Sequence, residues 1–91
     1  MKKTVLITGA TSGIGLATAR EFAANHYDLI LTGRRKDRLE QTQQELSTSY
    51  PVEVTTLCFD VRRYQECEEA ISSIKVPIDV LINNAGLAKG L

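Results

Sequence analysis

Val5-Leu6-Ile7-Thr8-Gly9-Ala10-Thr11-Ser12-Gly13-Ile14-Gly15-Leu16 is the stretch on which the reading of this chain turns. A short continuous apolar run is followed at once by a glycine turn, and the turn by a segment with helical periodicity. Thr11 and Ser12 are placed to cap a helix starting near Gly13, and Leu16, Ala19, Phe22 and Ala23 fall on one of its faces. Glycine is required where the backbone takes left-handed angles, where an anion must reach main-chain N–H groups, and where a helix and a strand pack with no Cβ between them. Gly9, Gly13 and Gly15 can fill those three roles, and the free amides of the first helical turn, at the positive end of the helix dipole, would face a pyrophosphate.

Working outward, apolar runs recur at Leu29-Ile30-Leu31, between Val52 and Phe59, and at Val80-Leu81-Ile82. Helical segments are expected between them at about Lys36 to Ser47 and Arg63 to Ile74. The order β-α-β-α-β-α-β, with continuous rather than alternating first, second and fourth runs, predicts a parallel sheet covered on both faces, an α/β fold of Rossmann type. The second helix carries only Leu39 and Leu46 on its seam and is expected to be an outer helix. In the third, Cys67, Ala70, Ile71 and Ile74 stand at i, i+3, i+4 and i+7, the spacing of a face pressed on a sheet. His26, the only histidine, falls in a turn and is expected to be solvated.

Composition narrows the classes. Eleven basic and eleven acidic residues in a chain of 91 leave no net charge, which argues against a nucleic-acid partner. Cys58 and Cys67 match no zinc-ligand spacing and are expected to be small buried apolar residues in a reducing compartment. No apolar run approaches the roughly 20 residues of a membrane span, and Met1-Lys2-Lys3 leads into too short a stretch for a secretory signal. The expectation is a cytoplasmic protein without membrane partners.

The glycine spacing excludes two other nucleotide loops. A P-loop needs Lys-Ser or Lys-Thr after its last glycine, where this chain has Ile14-Gly15-Leu16, and the ordinary G-x-G-x-x-G pattern is also absent. Thr8 to Gly15 instead resembles the TGxxxGxG loop of the short-chain dehydrogenase/reductase family. Asn83-Asn84-Ala85-Gly86 resembles that family's NNAG motif, and Asp60-Val61 matches a third family position. The resemblance runs the length of the chain. It implies strand order 3-2-1-4, half of a doubly wound sheet, and hydride transfer between a nicotinamide dinucleotide and an alcohol/carbonyl substrate. It further implies that residues 1–91 are the N-terminal nucleotide-binding half-domain of a single-domain chain of about 250 residues, a homo-oligomer in its full form.

The choice of nucleotide is read from the end of the second strand. An acidic residue there would bond the ribose 2′-hydroxyl of NAD, but the sequence has Thr32-Gly33-Arg34-Arg35. Guanidinium groups bind a 2′-phosphate with charge-assisted two-pronged geometry, so NADP is the expected cofactor, with Arg34 before Arg35 as its ligand. The alternative is that the two arginines merely open a charged, solvated helix start. Against it, cations at a helix N-terminus oppose the dipole unless an anion is present.

The remaining assignments follow from the resemblance. Gly9, Ala10, Thr11, Ser12, Gly13, Ile14 and Gly15 form the phosphate loop; Asp60 accepts from the adenine amino group, or simply caps a helix, and Val61 packs on the ring. Asn83 and Asn84 tie strands together and line the cofactor, or are purely structural, while Ala85 and Gly86 leave room for the ribose. The family acts through a serine, a tyrosine and a lysine four residues after it. Tyr27, Tyr50 and Tyr64 are followed at that distance by Leu31, Val54 and Glu68, so no catalytic residue is assigned within these residues, which alone are expected to be inactive. Leu31 to Arg35 together with Asn83 to Ala88 most resembles the branch acting on 3-hydroxy acids and serine-like substrates. The alternative function is a non-catalytic NADP-binding sensor, which would lack a Tyr-x-x-x-Lys pair altogether.

Overall fold

The computed structural model describes residues 2–11, 13–60 and 62–84. Seven elements follow in order: β1 (Thr4–Thr8), α1 (Gly13–Ala24), β2 (Asp28–Gly33), α2 (Lys36–Ser49), β3 (Val54–Cys58), α3 (Tyr64–Ser72) and β4 (Val80–Asn83). The four strands form one parallel sheet in the order β3-β2-β1-β4. The expected α/β architecture and strand order are therefore observed.

The core lies where the sheet meets α1 and α2. Val5, Ile7, Leu29, Leu31 and Val54 project from one face of the sheet and pack with Ala19 and Ala23 of α1 and Leu39 and Leu46 of α2. Small alanines let α1 sit close to the sheet, whereas α2 reaches it through two leucines, the thin seam expected from its polar sequence. Side chains alternate along a strand, so Leu6 and Ile30 point to the opposite face, and both are buried there too.

The end of α1 explains the histidine. Tyr27 donates its amide to the Phe22 carbonyl (3.0 Å) and His26 to that of Ala23 (3.0 Å), with His26 left-handed at φ 67°. This is a Schellman cap, completed by an edge-on contact between the Phe22 and Tyr27 rings at 4.9 Å. His26 is exposed, as expected, and its backbone closes the helix.

Three expectations fail. The spacing on α3 predicts a buried face, yet no residue of α3 is buried and Ile71 is 40% exposed. The continuous run in β4 predicts cover on both faces, but the strand alternates between half-buried and exposed and Leu81 is 61% exposed. Both have one cause: among the described residues β4 pairs only with β1, and the apolar side chains of α3 and β4 find too little partner surface to bury. Neither cysteine is buried: Cys58 is exposed at the end of edge strand β3 and Cys67 is half-buried on α3.

Candidate functional site at the strand tips

A parallel sheet brings the ends of all its strands to one edge, so Gly9, Arg34, Asp60 and Asn84 are gathered there from four distant places in the sequence. Hydrogen bonds hold the tips in sequence across the edge. The Ala10 amide donates to the Thr32 carbonyl at 3.2 Å, fastening the glycine turn to β2. The Phe59 amide donates to the Gly33 carbonyl at 2.9 Å, fastening the β3 exit to the segment that carries Arg34. On the other side, the Thr8 hydroxyl donates to Asn83 Oδ1 at 3.0 Å and Asn84 Nδ2 to the Gly9 carbonyl at 3.1 Å.

The three glycines have separate physical duties. Gly9 and Gly13 adopt left-handed backbone, with φ of 62° and 58°. Gly15 is buried, and a Cβ there would lie 2.0 Å from the Gly9 carbonyl oxygen and 2.7 Å from Asn84 Nδ2. Around Gly13 a Cβ would meet nothing within 4 Å, so the turn is packed tightly on its inner side and open on its outer side. The first-turn amides of α1 lack intrahelical partners, as at any helix start, and the Ile14 side chain beside them is exposed. A glycine turn leading into a helix start is an arrangement that can present backbone N–H groups to an anion. Ala10 takes a different part: its buried side chain and committed amide serve the turn's own fold.

Arg34 and Arg35 stand at the adjoining tip. Arg35 is the N-cap residue of α2 with extended backbone and no capping side-chain bond, and it forms a loose ion pair with Asp37 at 3.8 Å. Arg34 is exposed, and its carbonyl receives the Cys58 thiol at 3.6 Å. Among the described residues its guanidinium has no acidic partner. The Gly33 backbone is close enough to the glycine turn that a Cβ on it would sit 3.4 Å from Thr11 Cγ2. The glycine turn and the arginine tip thus lie side by side at one end of the sheet.

Asp60 is occupied in a way that its sequence position does not suggest. Its Oδ1 accepts the Arg62 amide at 2.9 Å, and the Arg62 guanidinium closes on both carboxylate oxygens, with Nη2 2.8 Å from Oδ2 and Nε 3.1 Å from Oδ1. The helix-cap alternative does not hold, because α3 begins after Arg63, which has no side-chain cap, and the Asp60 carboxylate closes a turn of its own. The side-chain and then the backbone hydrogen bonds from Arg62 hold this carboxyl well below the usual carboxylate range, with the charge of Arg34 adding to the effect. Arg62 is the site residue that sequence reasoning misses. Its signal is an arginine two positions after an aspartate at a strand exit, close enough to chelate it.

Asn83 and Asn84 tie strands together as expected, Asn83 through Thr8 and Asn84 through Gly9. Ser12, Val61, Ala85 and Gly86 lie outside the described residues.

The short chain dehydrogenase family model matches residues 3–91. The chain belongs to the short-chain dehydrogenase family. Among its relatives in this family is an NADP-dependent 3-hydroxy acid dehydrogenase of Salmonella typhi, 46% identical over 90 residues that cover 96% of this chain and 35% of the relative. A serine 3-dehydrogenase of Agrobacterium fabrum is 43% identical over 93 residues, covering 99% of this chain and 36% of the relative. Among solved structures, an alcohol dehydrogenase of Thermococcus sibiricus complexed with 5-hydroxy-NADP superposes with a TM-score of 0.85 at 37% identity, over 89% of this chain and 36% of the other. The chain therefore spans about a third of the length of these short-chain dehydrogenases.

Proposed function

We propose that this chain binds the adenosine 2′-phosphate and pyrophosphate portion of NADP(H), and that the whole protein is an oxidoreductase transferring hydride between NADP(H) and an alcohol/carbonyl pair. The observation that carries the reading is Arg34, an arginine without an acidic partner among the described residues, at a strand tip beside the glycine turn. A carboxylate at that tip would serve the 2′-hydroxyl of NAD and repel a phosphate. The names of the Salmonella relative and of the Thermococcus structure, both NADP-associated, support the same cofactor.

In this reading the amides from Thr11 to Gly15 hold the pyrophosphate, Arg34 takes the 2′-phosphate, and Arg35 strengthens the local positive field. Asp60 and Val61 border the adenine, while Asn83, Asn84, Ala85 and Gly86 line the ribose side. When bound, the dinucleotide supplies the hydride donor or acceptor. The residues of this chain orient it and neutralise its phosphates. The remainder of the machinery, including the serine, tyrosine and lysine of the family, would come from a longer parent chain acting as a homo-oligomer. The substrate class favoured by the relatives' names is a 3-hydroxy acid or serine-like alcohol.

The test is nucleotide binding to the intact protein. A hydrogen bond to a charged group contributes about 1.5–3 kcal/mol, so Arg34→Asp should weaken NADPH by roughly tenfold to a hundredfold or more and leave NADH nearly unchanged. Equal loss for both nucleotides, measured by titration calorimetry, would refute the assignment.

A further inference from the structure

Three acidic side chains near the starts of α2 and α3 are each engaged by an arginine close in sequence. Asp37 is paired with Arg35 at 3.8 Å, Asp60 with Arg62 at 2.8 Å and Glu66 with Arg63 at 3.3 Å. Arg34 stands among these pairs without such a partner among the described residues. The Asp60 pair differs from the other two in its completeness, because backbone amide and guanidinium of one residue grip both carboxylate oxygens. Asp60 is also the more buried partner, with 19% of its side chain exposed against 57% for Arg62. It follows Phe59, whose amide is bonded to Gly33, the residue immediately before Arg34. A free carboxylate here would stand on the strand exit next to Arg34, where it could pair with that guanidinium or repel a phosphate approaching it.

We infer that Arg62 is a positioning residue for 2′-phosphate selectivity: by chelating Asp60 on its own turn, it withholds that carboxylate from Arg34 and from the incoming phosphate. The inference rests on the proposed NADP reading and adds to it a residue that need not touch the nucleotide. Asp60 can then remain at the adenine edge without its charge opposing the phosphate next door. Local geometry makes the clamp effective, because a turn spanning two residues keeps donor and acceptor together at little entropic cost.

The experiment compares 2′,5′-ADP with 5′-AMP by titration calorimetry on the intact protein, in wild type, Arg62→Leu, Asp60→Asn and the double variant. One uncompensated carboxylate within about a Debye length of a dianion should lower the 2′,5′-ADP to 5′-AMP preference about threefold to tenfold in Arg62→Leu, less at high salt. Adding Asp60→Asn to that variant should restore the preference, and Asp60→Asn alone should not diminish it. An unchanged preference in Arg62→Leu overturns the inference, as does a loss that Asp60→Asn fails to repair, which would mean that Arg62 contacts the phosphate itself. Should Arg62→Leu not fold, Arg62→Gln carries the same expectation, since it too removes the charge. A wild type with no preference for 2′,5′-ADP defeats the NADP reading and the inference with it; a clear wild-type preference that ignores Arg62 defeats the inference alone.

Discussion

Replacing Gly15 with alanine should damage this protein out of proportion to the single methyl group added. The new Cβ would lie 2.0 Å from the Gly9 carbonyl oxygen and 2.9 Å from its carbon, both backbone atoms, and 2.7 Å from Asn84 Nδ2. Relief needs a displacement of more than about 1 Å between the glycine turn and α1, and neither can yield as a flexible side chain would. Overpacking of this kind costs about 1–3 kcal/mol, with backbone clashes at the upper end. Alanine returns about 1 kcal/mol through its better helix propensity. A net loss of about 2 kcal/mol is expected in urea unfolding of the intact protein, with the midpoint lowered and the slope unchanged. Because the displaced atoms belong to the turn, NADPH affinity should fall as well, even with stabilising osmolyte present. Gly13→Ala is the informative contrast: it meets no atom within 4 Å and pays only for its left-handed backbone, about 1–2 kcal/mol. Unaltered stability and unaltered NADPH affinity in Gly15→Ala would refute the close-approach reasoning.

Two further outcomes follow from the same geometry. Thr32 is fully buried in β2, and among the described residues its hydroxyl has no hydrogen-bond partner. Thr32→Val should therefore be neutral or stabilising by up to about 1 kcal/mol in urea unfolding, and a loss of that size would reveal a hidden partner. The Asp60 carboxyl, held low by Arg62, should stay ionised well below the ordinary aspartate value of about 3.9. Its folded value lies below its unfolded one, so the clamp's contribution to stability is complete above about pH 4 and is lost as pH falls through the folded value, with no change near neutrality. Carbon-detected NMR titration of that carboxyl checks this, and a midpoint at the ordinary value in wild type would contradict the clamp.

Much of the architecture could be read directly. The apolar runs around Leu6, Ile30 and Leu81 and the helical segments between them predict the parallel sheet, because a parallel arrangement is the way strands joined by helices pair side by side. The core residues of α1 and α2 were legible for the same reason: Ala19, Ala23, Leu39 and Leu46 keep helical spacing and are all buried. Periodicity on α3 misled, since spacing reports which face is apolar, while burial depends on what lies opposite. The cysteines misled similarly, with Cys58 at the margin of an edge strand. At the site, the glycine turn and Arg34 were legible from residue type and position. Arg62 was not, because its importance comes from a chelate that exists only once the β3 exit has turned, and a search for charges facing a ligand passes over one facing a neighbour.

The bond from Asn84 to the Gly9 carbonyl joins residues 75 apart in sequence. A ribosome that has delivered β1 through β3 has made a hairpin-free sheet fragment whose first turn still lacks its latch. Affinity for a nucleotide should then emerge only when residue 84 clears the exit tunnel, rather than when the glycines themselves do.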